Sequence, residues 1–181
     1  MKRITLFILA LACVSAPAIK QASAQKADAP SKDQLDFPVG DWNCTGSVMA
    51  MGKKPGHATT GRAHSEKVLD GNWIVIHYDE EQTSENAEPY HVIQYFGYDR
   101  DKKQLVSVTL DNGSSSYSTG GSSGWKGNAL TVDETEGSGG KVVVFRDTFT
   151  RNESGELTHA GTMLDKDKKW VKTDAETCRK S

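Results

Sequence analysis

Gln94, Arg146 and His159 are polar residues in segments that alternate like β-strands. The other residues predicted to lie on the same strand face are mostly apolar. A polar group inside an apolar interior costs roughly 2–7 kcal/mol unless a partner satisfies it. A bound ligand with an apolar body and one polar or anionic head would supply such a partner. The structural alternative is that Arg146 pairs with a nearby carboxylate, or that a bulge turns it outward.

These polar residues and their apolar neighbours are the predicted lining of a binding cavity. Small-molecule pockets combine many apolar contacts with a few placed polar groups. The candidate ligand-binding residues are Tyr78, Gln94, Phe96, Val108, Arg146, His159 and Met163.

Catalysis has a weaker basis in the sequence. Residues 120–124 fit the Gly-x-Ser-x-Gly pattern of serine hydrolases, but that motif requires a strand before it and a helix after it. Here it lies in a Ser/Gly-rich run over residues 112–127, which we interpret as a loop that could cover the mouth of a barrel. We expect no close pair of carboxylates and no Cys-His pair inside the domain, and therefore predict that the protein is not an enzyme.

His64, His77 and His91 fall on three successive predicted strands, where neighbouring histidines could ligate a metal ion. Alternation places His77 and His91 on the solvent side with Asp79 beside them. We interpret these histidines as solvated side chains and predict no metal site.

The N-terminus predicts export. Lys2 and Arg3 precede an apolar run and then the small residues Ala22-Ser23-Ala24, so residues 1–24 match a secretory signal peptide. The alternative is cleavage before Cys13, with lipidation of that cysteine. Either way the protein is predicted to reach the periplasm or the outside of the cell.

The rest of the chain is predicted to be a flexible leader over residues 25–34 and one domain over residues 35–181. Removal of the signal leaves 19 basic and 24 acidic residues, a net charge of −5, which argues against nucleic acid as a partner. No later apolar run reaches the roughly 18 residues of a membrane span. Cys44 and Cys178 remain, and an even pair in an oxidising compartment predicts one disulfide.

Ten short apolar or alternating segments are separated by turn sequences such as Asp70-Gly71-Asn72. This pattern predicts antiparallel strands joined by short connections, and a long meander of them removes its edges by closing. We therefore predict an all-β fold, an up-and-down antiparallel barrel of about ten strands. The predicted strands cover residues 42–51, 59–69, 73–80, 90–98, 104–111, 117–125, 129–136, 141–151, 156–164 and 170–179.

Folding each hairpin about its turn places Ile76 opposite Gln94 and Phe96 opposite Val106. The predicted inner face is then nearly apolar and consists of Ile74, Ile76, Tyr78, Val92, Gln94, Phe96, Val106, Val108 and Leu110. In the last three strands the inner group is Val144, Arg146, Thr148, Leu157, His159, Met163, Val171 and Ala175. Lys172, Asp174 and Glu176 are then expected to face water.

With an even number of antiparallel strands, the start of the first strand lies beside the end of the last. Cys44 and Cys178 are therefore predicted to meet at one rim of the barrel. An inward Trp42 together with an outward Glu176 requires a bulge in one of these two strands.

Gly40-Asp41-Trp42 resembles the Gly-x-Trp signature of lipocalins, in which the tryptophan plugs the closed end of the barrel. With residues 70–73, 97–99 and 170–179, the chain resembles an uncharacterised bacterial family of lipocalin-like barrels, the domain of unknown function 1579 type. That family is distantly related to the nitrobindins, which bind haem through a histidine near the C-terminus. The resemblance implies a ten-stranded barrel with a cavity. The last strand here has no histidine, and His159 is the nearest substitute for a haem ligand.

Together these observations predict an exported protein of the bacterial cell envelope that binds a small, partly apolar ligand. Two alternatives stay open. One is a barrel with a packed lumen whose outer face docks another protein, and the other is a haem protein of the nitrobindin type.

Overall fold

A computed structural model describes Leu35 and residues 39–114, 116–138 and 141–181. The predicted signal peptide, the leader and the alternative lipidation site at Cys13 lie outside these residues. Within them, no helix is long and apolar enough to cross a membrane.

Eleven strands form one antiparallel sheet. Their bounds are β1 Gly40–Val48, β2 His57–Val68, β3 Trp73–Glu80, β4 His91–Asp99, β5 Gln104–Asp111, β6 Tyr117–Ser122, β7 Trp125–Lys126, β8 Ala129–Ser138, β9 Lys141–Arg151, β10 Leu157–Leu164 and β11 Trp170–Lys180.

The sheet closes on itself. Strands β1 to β6 pair in succession, as do β7 to β11, and the pairs β1–β11 and β6–β8 complete the ring. Ten strands therefore form the barrel, and the two-residue β7 extends the sheet beside the start of β8. This confirms the predicted all-β, ten-stranded antiparallel barrel.

The predicted sixth strand divides into β6 and β7 at Gly124, whose φ of +94° suits glycine and few other residues. The Ser122 hydroxyl accepts a hydrogen bond from the Gly124 N–H at 3.1 Å. The serine of the Gly-x-Ser-x-Gly pattern therefore ends a strand and supports a turn, and no helix follows it.

Apolar side chains close one end of the barrel. Trp42 is 6% exposed and packs with Leu157 and the two cysteines, in the position where the lipocalin resemblance places a plug. Beside it lies a second buried cluster formed by Leu35, Ile74, Phe96, Leu105, Leu130 and Val132.

Cys44 and Cys178 form the predicted disulfide. They lie directly opposite each other in the β1–β11 ladder, with their Cα atoms 4.0 Å apart and 134 positions apart in the chain. The bond ties the first strand of the barrel to the last, so the geometric prediction from an even strand count is confirmed.

A bulge in β11 determines which side chains of this strand line the lumen. Gly161 on β10 pairs with Asp174, but the next residue pairs with Lys172, so Thr173 is the extra residue. The Thr173 carbonyl accepts a hydrogen bond from the Met49 N–H at 2.7 Å. Asp174 and Glu176 share the inner face with Cys178 by regular alternation, so the expectation that they face water is wrong. The bulge reverses only the faces of the residues before Thr173, which leaves Lys172 outward.

The β4–β5 hairpin is shifted by one residue from the prediction. The structure pairs Phe96 with Ser107 rather than with Val106, because Asp99 pairs with Gln104 and the connection therefore contains four residues, 100–103, where the predicted strands left five. Since side chains alternate along a strand, this shift reverses the faces of β5. The predicted inward side chains that lie outside are Val106, Val108 and Leu110.

The β9–β10 hairpin is shifted in the same way. Arg151 pairs with Leu157, so the connection contains five residues, 152–156, where a four-residue turn was expected. Arg146 and its alternating neighbours Val144 and Thr148 therefore face outward. The inward residues of β9 are Phe145, Asp147 and Phe149.

We predict that loss of the disulfide strongly destabilises the barrel. Replacement of both Cys44 and Cys178 by serine should lower the free energy of unfolding by up to about 4–5 kcal/mol, because the bond closes a loop that spans most of the domain. Urea unfolding measures the loss. Thiol titration of denatured, unreduced protein should find neither cysteine free, and two free thiols in exported protein would refute the bond.

We predict that Ser107→Asp and Val108→Asp differ sharply in stability. Ser107 is 2% exposed and points inward, so an aspartate there buries a charge without a partner and should cost roughly 3 kcal/mol or more. Val108 points outward, and its replacement should cost about 1 kcal/mol. Urea unfolding midpoints separate the two variants, and a larger loss for Val108→Asp would contradict the register.

Candidate functional site

His159 lies near the start of β10 and points into the lumen, where carboxylates from both neighbouring strands surround it. Its Nε2 is 3.0 Å from Asp147 Oδ1 on β9. Its Nδ1 is 3.0 Å from Glu176 Oε2 and 3.2 Å from Asp174 Oδ2, both on β11. We refer to His159, Asp147, Asp174 and Glu176 as the His159 cluster.

Local backbone features bring these four side chains together. Glu176 lies directly opposite His159 in the β10–β11 ladder, and Asp174, two residues earlier, shares its face by alternation. Gly161 then makes room for Asp174, because a Cβ at this position would collide with the Asp174 carboxylate and the Thr173 hydroxyl. A side chain at position 161 would therefore push Asp174 away from the imidazole.

The cluster faces open space inside the barrel. The side chains point inward, yet His159 is 24% exposed, Asp147 20%, Asp174 25% and Glu176 11%. An inward-pointing side chain keeps accessible surface only where no neighbouring side chain covers it. The lumen is therefore not filled with protein at this level.

The cluster has an excess of negative charge. Burial lowers the pKa of His159, but the hydrogen bonds with Asp147, Asp174 and Glu176 outweigh it and raise this pKa well above its ordinary value. Burial raises the pKa of Glu176, and its hydrogen bond with Asp174 adds to the rise. Even with His159 charged and Glu176 protonated, two carboxylates face one imidazolium, so any further group that binds here meets negative charge.

Two hydroxyls beside the cluster have no hydrogen-bond partner. The Thr59 and Tyr78 hydroxyl oxygens lie near each other without the geometry of a hydrogen bond, and neither bonds to another described group. Thr59 is only 4% exposed. Gly46 pairs with Thr59 on one side and with Glu176 on the other, so no side chain separates the hydroxyls from the cluster. Burial and then the charge of Glu176 raise the pKa of the Tyr78 phenol.

A second carboxylate near the same end of the lumen, Glu80, is 5% exposed and fully bonded. Its Oε1 lies 2.8 Å from His57 Nε2, and its Oε2 accepts a hydrogen bond from the Tyr90 N–H at 2.9 Å. This pair fixes the end of β3 to the start of β2 and leaves no oxygen of Glu80 for a ligand.

Glu134 forms a separate polar network on the wall made by β5, β6 and β8. It is 2% exposed and accepts hydrogen bonds from Gln94 Nε2 at 3.2 Å, Thr109 Oγ1 at 3.1 Å and Ser118 Oγ at 2.5 Å. The predicted need of Gln94 for a ligand is thus met by protein. Because Glu134 is covered on all sides, we assign this network a structural role.

The sequence predicted no close pair of carboxylates inside the barrel. The structure contradicts this, because Asp147, Asp174 and Glu176 all face His159 there. The signal was present in β11, where Asp174 and Glu176 alternate with Cys178. Cys44 faces inward on the first strand, so its disulfide partner Cys178 must face inward on the last. Alternation from Cys178 then places Glu176 and Asp174 on the inner face.

The structure divides the predicted ligand-binding residues between the two faces. The inward residues are Tyr78, Gln94, Phe96, His159 and Met163. Val108 and Arg146 are corrections, because both point outward. Arg146 bonds to Asp133 through Nε at 2.6 Å and Nη2 at 2.9 Å and lies 4.3 Å from the centre of the Trp170 ring, as the structural alternative required.

The surface histidines pair with their own carboxylates. His64 Nδ1 lies 2.6 Å from Asp41 Oδ1, and His91 Nδ1 lies 2.7 Å from Asp79 Oδ1. Their side chains are about half exposed, 55% and 48%. His64 lies directly opposite His77 in the β2–β3 ladder, and His91 lies opposite Asp79 in the β3–β4 ladder.

The haem that the nitrobindin resemblance implies does not fit this lumen. Both ring nitrogens of His159 already face carboxylates, and an axial bond to iron would displace at least one of them. The same carboxylates would repel the anionic propionates of haem.

A closed, ten-stranded antiparallel barrel is consistent with the class of lipocalin-like barrels. Within it, residues 28–179 match the family described as "Protein of unknown function (DUF1579)", and the chain belongs to that family. No curated protein matches the sequence.

Among solved structures, the chain is similar to Rv2717c from M. tuberculosis. The TM-score is 0.59 at 10% sequence identity, and the alignment covers 85% of this chain and 99% of the other. At this identity the likeness concerns the fold alone.

We predict that Gly161→Ala disturbs the His159 cluster. The new methyl group displaces Asp174, so the pKa of His159 should fall towards its ordinary value as one carboxylate is lost. Titration of the histidine side chains by NMR measures the change. The control is Gly137→Ala, where a Cβ meets no atom within 4 Å. An unchanged His159 midpoint in Gly161→Ala would contradict the packing described.

Proposed function

We propose that the protein is an exported binding protein of the cell envelope that takes a small, partly apolar molecule into its lumen without catalysing a reaction. The observation that carries this proposal is the His159 cluster, which points inward and yet keeps accessible surface next to the apolar group around Trp42 that fills one end of the barrel. Export rests on the predicted signal peptide, and the disulfide is compatible with an oxidising compartment.

The charge of the lumen determines which polar head group the ligand can carry. Arg146, the predicted partner for an anionic head, lies outside, and the His159 cluster carries excess negative charge. A carboxylate or phosphate head would be repelled there. The group that fits is a hydrogen-bond donor with positive charge, such as an ammonium.

Aromatic and aliphatic side chains near the cluster suit an apolar body. The Phe149 ring lies 5.0 Å from the His159 ring, and Phe96 meets Phe149 edge to face at 6.0 Å. Towards the other end of the lumen, Phe145 and Met163 are paired inward residues of β9 and β10 and are only partly buried. A ligand with its head at the cluster would extend its apolar body along these two side chains.

We predict that the mature protein prefers alkylamines to alkyl carboxylates of the same chain length. Isothermal titration calorimetry on matched pairs should give at least about a tenfold difference in Kd, which corresponds to about 1.4 kcal/mol. Glu176→Gln should weaken amine binding, whereas Arg146→Met, on the outer face, should leave it unchanged. Equal binding of both series, or binding of neither, would refute this function.

A further inference from the structure

We propose that the His159 cluster binds a divalent transition-metal ion through His159 Nδ1, Asp174 and Glu176. The inference deepens the proposed function and rests on it only in requiring a lumen that solutes can enter. The described part of the chain contains one group of this composition and spacing.

The three donor atoms are already close enough to share one ion. They lie within 4.8 Å of one another, and Nδ1 is 3.0 Å from Glu176 Oε2 and 3.2 Å from Asp174 Oδ2. In a tetrahedral site with bonds of about 2.0–2.2 Å, ligand atoms lie about 3.4 Å apart. The two Nδ1 distances are therefore within a few tenths of an ångström of those in a coordination site, and the separation of the two carboxylates does not exceed 4.8 Å.

Asp147 holds the imidazole in the orientation that coordination needs. Its Oδ1 lies 3.0 Å from His159 Nε2, so it accepts a hydrogen bond from the Nε2–H, and release of the Nδ1 proton on metal binding would leave the Nδ1 lone pair for an ion held by Asp174 and Glu176. A carboxylate behind a ligating histidine fixes the tautomer and strengthens the ligand. The cluster thus contains three ligands and the group that orients one of them.

The hydroxyls of Thr59 and Tyr78 are an independent sign of a missing group. Burial of a hydroxyl without a hydrogen bond is unfavourable, and Thr59 is 96% buried with no partner. Both hydroxyls adjoin Glu176 across Gly46, where there is no side chain. A water molecule in the fourth coordination position of the ion would reach this space and could bond to them.

The donor set selects the kind of ion. One imidazole nitrogen with two carboxylate oxygens suits zinc, iron or manganese, whereas magnesium and calcium prefer ligands that are all oxygen. The divalent charge would also offset the excess of carboxylates. Because an ammonium head would use the same oxygens, zinc and an alkylamine should compete.

The test is zinc titration of the mature protein after treatment with a chelator. Calorimetry should show one zinc ion per chain, a higher Tm with zinc and much weaker binding of magnesium. Glu176→Gln and His159→Gln should lose at least tenfold in zinc affinity, and Asp147→Asn about 10–100-fold. The matched control is His91→Gln, which breaks the His91–Asp79 pair on the outer face and should bind zinc as the wild type does.

Two results would overturn the inference: no stoichiometric zinc binding by the wild type, or losses in Glu176→Gln no larger than in His91→Gln. If His159→Gln fails to fold, the wild-type Tm shift and the Glu176→Gln titration still decide. Amine binding without zinc binding would overturn the metal site and leave the proposed function. Zinc binding without amine binding would support the metal site and overturn the proposed function.

Discussion

The direct pairing of Cys44 with Cys178 is the constraint on which the lumen depends. Cys44 shares the inner face of β1 with the Trp42 plug, so its partner on β11 must also face inward. Because side chains alternate, Glu176 and Asp174 follow Cys178 into the lumen. Two acids inside a barrel require partners, and His159 on the adjacent strand faces both of them through its Nδ1, while its Nε2 faces Asp147 on β9. The covalent bond and the polar cluster are therefore consequences of one register.

The sequence was sufficient for the architecture because the signals for strands and turns are local. Ten strand segments, the antiparallel closure, the disulfide and the pairing of Ile76 with Gln94 were all predicted. The inward and outward faces of three strands were not predicted correctly. Side chains alternate along a strand, so an error of one residue in the register exchanges its two faces. A connection one residue shorter than expected, with Asp99 paired to Gln104, moved β5, and one extra loop residue, Glu156, moved β9.

The hydrogen-bond partners of the candidate site residues depend on strand register in the same way. His159 was predicted to point inward as an unsatisfied polar group, and its direction is right. Its partners were missed because Asp174 and Glu176 were predicted to face water together with Lys172, whereas a bulge at Thr173 places Lys172 on the opposite face from the two acids. Gln94 shows the opposite outcome, since its amide is satisfied by Glu134, 40 positions later in the chain. Long-range partners of this kind follow from the register and cannot be assigned before it is known.

The plug around Trp42 has a consequence for how such a barrel would exchange its contents. With one end filled by Trp42, Leu157 and the disulfide, the lumen is a blind cavity and not a passage. A molecule that enters must leave by the same rim, formed by the connections that follow β1, β3, β5, β8 and β10. A partner that delivers the ligand and a partner that receives it would both have to bind at that rim. Delivery and release would therefore take place one after the other at the same surface.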